Sequence, residues 1–364
     1  MNIKRMQKLT RDLIAIDSVT GNEGEIYKFI TDVLASHGMN VQTFPVDKDR
    51  CNILASWNDK PAQILFNTHL DTVPPQYGPH EDDERIYGRG ACDTHGILAA
   101  QIETLSELHQ QGIDGLGMLL VVGEECDHDG AKHVGKSQEI TEPDVLIVGE
   151  PTETRLIRRQ KGRLKADLFV HGLEGHSGYP EKYDSAVEKL FLFLDAIRES
   201  HWLKKDSREG TTMNVIIPEA GHVDNKVPGF AHARLMFRCN EPCTTIKYDV
   251  DEILYNLQKS FMPSLTSKPH FEIKWDDAES GPISLNTLPG FETALAAFNT
   301  DISYFGWKNC KRFLVGPGSI FQAHKDLQED DWMGGEWILK EEQIRGVQIY
   351  KDLVLALVKD INAL

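Results

Sequence analysis

The sequence predicts an α/β protein, with a mixed, largely parallel sheet, flanking helices and an inserted ferredoxin-like α+β domain. Three observations lead there. Short apolar runs alternate with amphipathic helical patterns through roughly the first 160 residues. The order then changes to β-α-β-β-α-β over 161–277, and the α/β pattern resumes from 278 to 364.

The N-terminal stretch MNIKRMQKLTRDLIAI reads as an amphipathic helix, and a second follows the turn SVTGNEGE, from about Glu23 to Ser36. Strand candidates come next at VQTFPV, CNILASW and AQILFNTH. A long helix opens at Asp93, with Ile97, Ala100, Ile102, Leu105 and Leu108 on an apolar face. GMLLVVGEE and DVLIVGEP are further apolar strands, and their continuous hydrophobicity fits a buried, largely parallel sheet.

From Arg163 the pattern gives a strand, RLKADLFVHG, and a helix presenting Val187, Leu190, Leu194 and Ile197. TTMNVIIP and AHARLMFRC are strands, Val250, Ile253, Leu257 and Phe261 mark a helix, and HFEIKW is the last strand. Beyond it we expect a helix near Phe291 to Phe298, a strand KRFLVG and a final helix with the stripe Ile344, Val347, Val354, Leu357, Ile361. The segments 1–160 and 278–364 would form the larger domain, and 161–277 a small domain inserted within it.

Composition narrows the function classes. The chain has 364 residues, 40% hydrophobic and 26% charged, ordinary for a globular protein and long enough for two domains. A net charge of −17 disfavours nucleic acid and anionic membrane surfaces as partners. No apolar run approaches a membrane span, and no export signal is visible. The six cysteines form no CxxC pair and read as reduced thiols of a cytoplasmic protein.

Acidic and histidine residues recur where the apolar strands end, the crevice in which open α/β sheets bind ligands. His69 and Asp71 follow AQILFNT, Glu124 and Glu125 follow MLLVVG, Glu150 follows DVLIVG, and His324 follows RFLVGPGSIFQA. Asp93 joins them after the glycine-rich turn YGRGACD. Singly, each has a plain structural reading: Asp93 as a helix N-cap, the Glu pair as solvated loop, His324 as surface. As a set they suit two divalent metals, because zinc takes imidazole nitrogen and carboxylate oxygen. A carboxylate can bridge ions ~3.5–4 Å apart, and one carboxylate should remain as general base. Glu124 and Glu125 fit that division, one as base and one as ligand. Asp71, two residues beyond His69, would set its carboxylate behind the imidazole and fix the tautomer.

The motifs HLDTVP, YGRGACD, GEE, GEPT, GHSGYP and GPGSIFQAH stand in the order and spacing of a known family. The chain resembles the two-zinc amidohydrolases and exopeptidases, which include acetylornithine deacetylase, succinyl-diaminopimelate desuccinylase, aminoacylase and glutamate carboxypeptidase. The resemblance spans essentially the whole chain and implies a zinc-exopeptidase-like fold. It implies His69, Asp93 and Glu150 at or between the metals with Asp93 bridging, Glu125 and His324 on the second metal, and Glu124 as the base. It further implies that His176 reaches the site of a partner subunit, so that a homodimer is expected. Asn225 and Arg238 are its substrate contacts, a guanidinium suiting a carboxylate, and Gly318 and Ser319 its pocket wall.

Two features depart from the family pattern. Thr94-His95-Gly96 stands where Met-Lys-Gly is common, with His95 read as a non-ligating helix residue. KDLQEDDWMGGEW carries an insertion between His324 and the family's usual acidic residue.

The resemblance implies zinc- or cobalt-dependent hydrolysis of the amide in a small N-acyl amino acid. Among the family's activities the expectation is acetylornithine deacetylation, giving acetate and ornithine. Desuccinylase and dipeptidase or carboxypeptidase activities are the alternatives. A metal-binding protein without catalysis is more remote. The GxGxxG reading of GRGACD fails because its third glycine is Asp93.

Overall fold

Continuous burial, not alternating burial, marks the central strands. Ile64–His69, Leu116–Val121 and Val145–Val148 are buried at every position, as strands covered on both faces must be. In the computed structural model, which describes residues 1–58, 60–137, 139–208, 210–261, 269–326 and 334–361, they lie in one six-stranded sheet. Its order is Asn40–Pro45, Cys51–Ser56, Leu116–Val121, Ile64–His69, Val145–Val148, Lys311–Leu314. The first two pairings are antiparallel and the remaining three parallel.

Helices cover this sheet because their apolar residues fall at helical spacing. Gly24–Ser36 buries Ile26, Ile30 and Leu34, one residue per turn. His95–Gln110 is apolar on most of its circumference and is enclosed, packing against Ile3–Ile14 and Lys340–Ile361 as well as the sheet. Phe66, fully buried in the central strand, meets Tyr350 edge-on at 5.4 Å.

The chain divides into two compact units. One comprises Met1–Arg158, Leu285–Ala294 and Thr300–Leu364; the other comprises Arg159–Ser284 and Leu295–Asn299. The crossings fall at Arg158–Arg159, Ser284–Leu285, Ala294–Leu295 and Asn299–Thr300, the first two near the expected 160–161 and 277–278. The smaller unit has an antiparallel sheet ordered Thr212–Glu219, Phe230–Cys239, Gly162–His171, Phe271–Trp275. Helices Ala186–Arg198 and Cys243–Ser260 bury Leu190, Phe193, Ile246 and Val250 against Leu164, Leu168, Leu235 and Phe237. Burial alternates along Phe230–Cys239, which leaves one face for the helices. This is the ferredoxin-like order.

One element differs from the sequence reading. The expected helix near Phe291 to Phe298 is a strand, Thr293–Ala296, with burial alternating in step with a two-residue period. Phe291, Leu295 and Phe298 mimic a helical stripe, but Leu295 is 47% exposed. A helix on that stripe would have had to bury it.

Candidate metal centre

Seven implicated acidic and histidine residues, His69, Asp71, Asp93, Glu124, Glu125, Glu150 and His324, belong to the larger unit, and the ends of its central strands deliver all but Asp93 and His324. His69 is the last residue of Ile64–His69. Glu124 and Glu125 lie just past Leu116–Val121, and Glu150 two residues past Val145–Val148. Because the Leu116–Val121 strand has ended before the Glu pair, adjacent residues are free of strand alternation and both carboxylates turn into the site.

Asp93 sits between two imidazoles. His69 Nε2 lies 3.1 Å from its Oδ1, and His324 Nε2 lies 3.3 Å from its Oδ2. His324 Nε2 is also 2.9 Å from Glu125 Oε1. The plain reading of Asp93 as a helix cap fails: Thr94 holds the capping position and makes no side-chain cap hydrogen bond. Glu150 is buried beside this group, and its charge acts on His69 and Glu124.

Asp71 works differently from the sequence expectation. Its backbone carbonyl, not its carboxylate, accepts from His69 Nδ1 at 2.8 Å, while the nearer carboxylate oxygen is 3.6 Å away. The strand ends at His69, so the alternation that would have aligned the two side chains no longer applies. A carbonyl can only accept, so Nδ1 carries a proton, and Nε2, which faces Asp93, is the nitrogen left to act as a ligand once a cation displaces its own proton. The Asp71 carboxylate instead accepts the N–H groups of Glu124 (3.0 Å) and Glu125 (3.1 Å) and the Thr20 hydroxyl (2.8 Å). Asp71 thereby seats both glutamates as well as the histidine.

Several neighbouring groups escaped the sequence reading. His128 Nδ1 is 2.9 Å from Asp301 Oδ1 and 3.6 Å from Glu124 Oε1, and its ring stacks on Tyr304 at 4.3 Å. The spacing of His128, four residues after Glu124, was a usable signal; Asp301, far along the chain, carried none. His95, read from the sequence as a non-ligating helix residue, is fully buried, with Nε2 3.3 Å from the Leu70 carbonyl, and burial lowers its pKa to about 4. It is a neutral packing residue behind the strand.

Gly318 and Ser319 also lie in the larger unit. Gly318 has φ +80°, and a Cβ there would come within 2.5 Å of Cys92 Sγ, so both backbone and packing require glycine. Ser319 donates to Glu153 Oε1 at 3.2 Å. His176, Asn225 and Arg238 belong to the smaller unit. A two-stranded ribbon pairs Gly175–His176 with Lys226–Val227, and the Ser177 N–H donates to the Asn225 carbonyl at 2.9 Å. Arg238 is half-buried near the end of Phe230–Cys239, opposite Arg163 in register. The smaller unit therefore brings His176 and Asn225 together and sets Arg238 at the far end of that strand. The insertion read after His324 falls partly on 327–333, outside the described residues.

Residues 65–355 match the sequence pattern of peptidase family M20/M25/M40. The chain belongs to this family. It is a hydrolase of the metallopeptidase class, and its relatives span its length. A probable carboxypeptidase of Emericella nidulans is 32% identical over 393 aligned positions, covering 97% of this chain and 89% of the relative. A tripeptidase from Staphylococcus aureus has the same fold, with a TM-score of 0.78 at 19% identity, covering 96% and 97% of the two chains. A Bacillus subtilis M20 peptidase described as dinuclear metal-binding superposes with a TM-score of 0.65 at 13% identity, over 98% of each chain. Among the described residues of this M20 protein, no helix is long and apolar enough to cross a membrane.

The donor set of the M20 site fits divalent cations. Burial and the charge of Asp93 raise Glu125 to about 7. Burial, then the charge of Glu150, pushes Glu124 well above the carboxylate range, and burial and Asp93 do the same to Glu150. Burial opposes ionisation of His69 and His324, yet it is outweighed by the sum of the hydrogen bond to Asp93 and the surrounding carboxylate charges, joined at His324 by the hydrogen bond to Glu125, and both are raised. Without a cation, the cluster compensates its crowded carboxylates with bound protons. Cations would displace them.

Between the ordinary glutamate value of 4.5 and about 7, folded Glu125 holds a proton that the unfolded chain has released. His69 and His324, also raised, extend this imbalance above 6.5. The folded state binds more protons, so stability falls as pH rises through that window. The melting temperature of chelator-stripped protein should fall from about pH 5 to about pH 8, and saturating zinc should flatten the slope. A slope unchanged by zinc would contradict the assignment.

Proposed function

We propose that this M20 protein is a metal-dependent exopeptidase of carboxypeptidase type, releasing a C-terminal amino acid from a small peptide or acyl group. The observation that carries the reading is the carboxylate of Asp93 between the imidazoles of His69 and His324, with Glu125 on the His324 imidazole and Glu124 near enough to feel the charges of Glu150 and His69. The full-length likeness to a probable carboxypeptidase supports the choice among family activities.

His69, Asp93 and Glu150 would hold one ion, and Asp93, Glu125 and His324 the other. Two such ions, zinc or cobalt, would supply Lewis acidity to the scissile carbonyl and would make water a better nucleophile. Glu124 takes the proton from the attacking water as its oxygen bonds to the carbonyl carbon. It returns that proton to the amine as the carbon–nitrogen bond breaks. Its raised pKa suits a group that must both accept and give a proton near neutrality. The His128–Asp301 pair limits where the Glu124 side chain can swing. Gly318 and Ser319 serve as pocket wall, Arg238 as carboxylate contact, and Asn225 and His176 as groups contacting the reacting amide.

His176 completes the site of a second copy in this reading. The outer strand of the smaller unit, Thr212–Glu219, supports a homodimer: it is a sheet edge with Ile216 and Ile217 exposed. N-acetylornithine presents the same bond and is the second reading, favoured by the stretch GPGSIFQAH.

A hydrolysis panel separates these readings: N-blocked peptides, free dipeptides, N-acetylornithine, N-acetylcitrulline and N-succinyl-diaminopimelate, each with zinc or cobalt. The expected result is release of the C-terminal amino acid from peptides, lost with a chelator and restored by metal. Fastest turnover of N-acetylornithine would replace the first reading by the second, and no turnover of any member would end both. Glu124→Gln should lower kcat by about 10²–10⁴ while keeping its metal. Mixed dimers of His176→Ala and Glu124→Ala subunits should regain activity, and verified mixed dimers that stay inactive would contradict shared sites.

A further inference from the structure

Glu336 is fully buried, and four donors converge on its carboxylate. Oε1 accepts the backbone N–H of Cys92 at 3.0 Å and of Asp93 at 2.9 Å. Oε2 accepts from Arg89 Nη1 at 2.9 Å and from the His324 N–H at 3.3 Å. Only a carboxylate offers two oxygens with acceptor capacity for all four. Arg89 is equally buried, and it spends its other donors on the Pro75 carbonyl (3.2 Å), the Pro74 carbonyl (3.4 Å) and Asp326 Oδ1 (2.5 Å).

One ion pair therefore ties down three segments that carry the metal-facing groups. These are the prolines that follow His69 and Asp71, the turn leading into Asp93, and the loop of His324. His324 itself has φ +56°, a left-handed conformation that side chains adopt only when held. If its backbone relaxed, Nε2 would leave Asp93 and Glu125. Tyr77 braces the same point, its hydroxyl accepting the Glu336 N–H at 2.7 Å and donating to the Lys325 carbonyl.

We infer that Glu336, paired with Arg89, is a positioning residue for the metal centre, fixing the backbones of Asp93 and His324 in register before any ion binds. The inference rests on the reading that Asp93 and His324 hold metal. It differs from an ordinary buried ion pair in its target. A pair serving only the fold would affect stability alone, whereas this one sets how well two particular ligands meet a cation. Loss of such support lowers metal affinity by about 10–100-fold in other proteins.

Glu336→Gln tests it, because the amide keeps the shape but exchanges an acceptor oxygen for a donor, leaving donors without partners. Chelator-stripped wild type and variant are titrated with zinc by calorimetry, and their kcat is measured at limiting and saturating zinc. The expected result is that at least one of two ions binds about 10–100-fold more weakly to the variant, with kcat recovering at high zinc. Wild-type affinity for both ions, with only a lower melting temperature, would overturn the inference. Wild type that binds no zinc would instead overturn the metal reading beneath it. Should the variant fail to fold, hydrogen exchange of metal-free wild type decides: slow exchange at the Cys92, Asp93 and His324 amides is expected, and fast exchange would overturn the inference.

Discussion

The carboxylate of Asp93, held between the imidazoles of His69 and His324, is the interaction on which the rest of the site depends. Each oxygen has its own histidine, so rotation of the carboxylate would break both contacts together. That demand explains why neighbouring elements are organised around backbone groups. Asp93 cannot serve as a helix cap and also face two imidazoles, and Thr94 takes the capping position without making the side-chain bond. The lost cap bond is a small cost, typically about 1 kcal/mol, set against the position of the ligand.

Concentrating charge at one end of a sheet would be prohibitive without compensation. Glu124, Glu125, Glu150 and Asp93 are withdrawn from water together, and a buried carboxylate without a partner shifts its pKa or acquires a counterion. Here the upward shifts of three glutamates and the downward shift of Asp93 are two sides of one condition: the nearest cations are the two imidazolium groups, and both face Asp93. The fold tolerates this because the central strands beneath are buried at every position. Asp71 adds a further economy, orienting His69 through its carbonyl and the Glu124–Glu125 turn through its carboxylate.

Much of this was legible in the sequence, and the limits have physical causes. His69, Glu125 and Glu150 could be read because apolar strands point to their own ends. That Glu124 and Glu125 could both turn toward one cluster followed from a strand that ends before them. The Asp71 carboxylate was assigned to the wrong partner because strand alternation was carried past the residue where the strand stops. Thr293–Ala296 passed for a helix because two aromatic residues and a leucine coincided with a helical period. Asp301 was invisible for another reason: its partner is a histidine far along the chain, and such a contact leaves no periodic trace. Glu336 was anticipated only as an acid beyond the insertion, because its backbone-amide partners leave no trace either. Glu336 also stands twelve residues after His324, where the family pattern has its acid within about four.

The claim that Asp93 serves two ions at once is tested most directly by metal content per chain. Wild type and Asp93→Asn would be equilibrated with zinc, freed of unbound metal by gel filtration, and analysed by elemental mass spectrometry, with circular dichroism confirming the fold. The account expects two ions per wild-type chain and the loss of both, or of all but weak binding, in the variant. A variant that folds and retains two tightly held ions would contradict it.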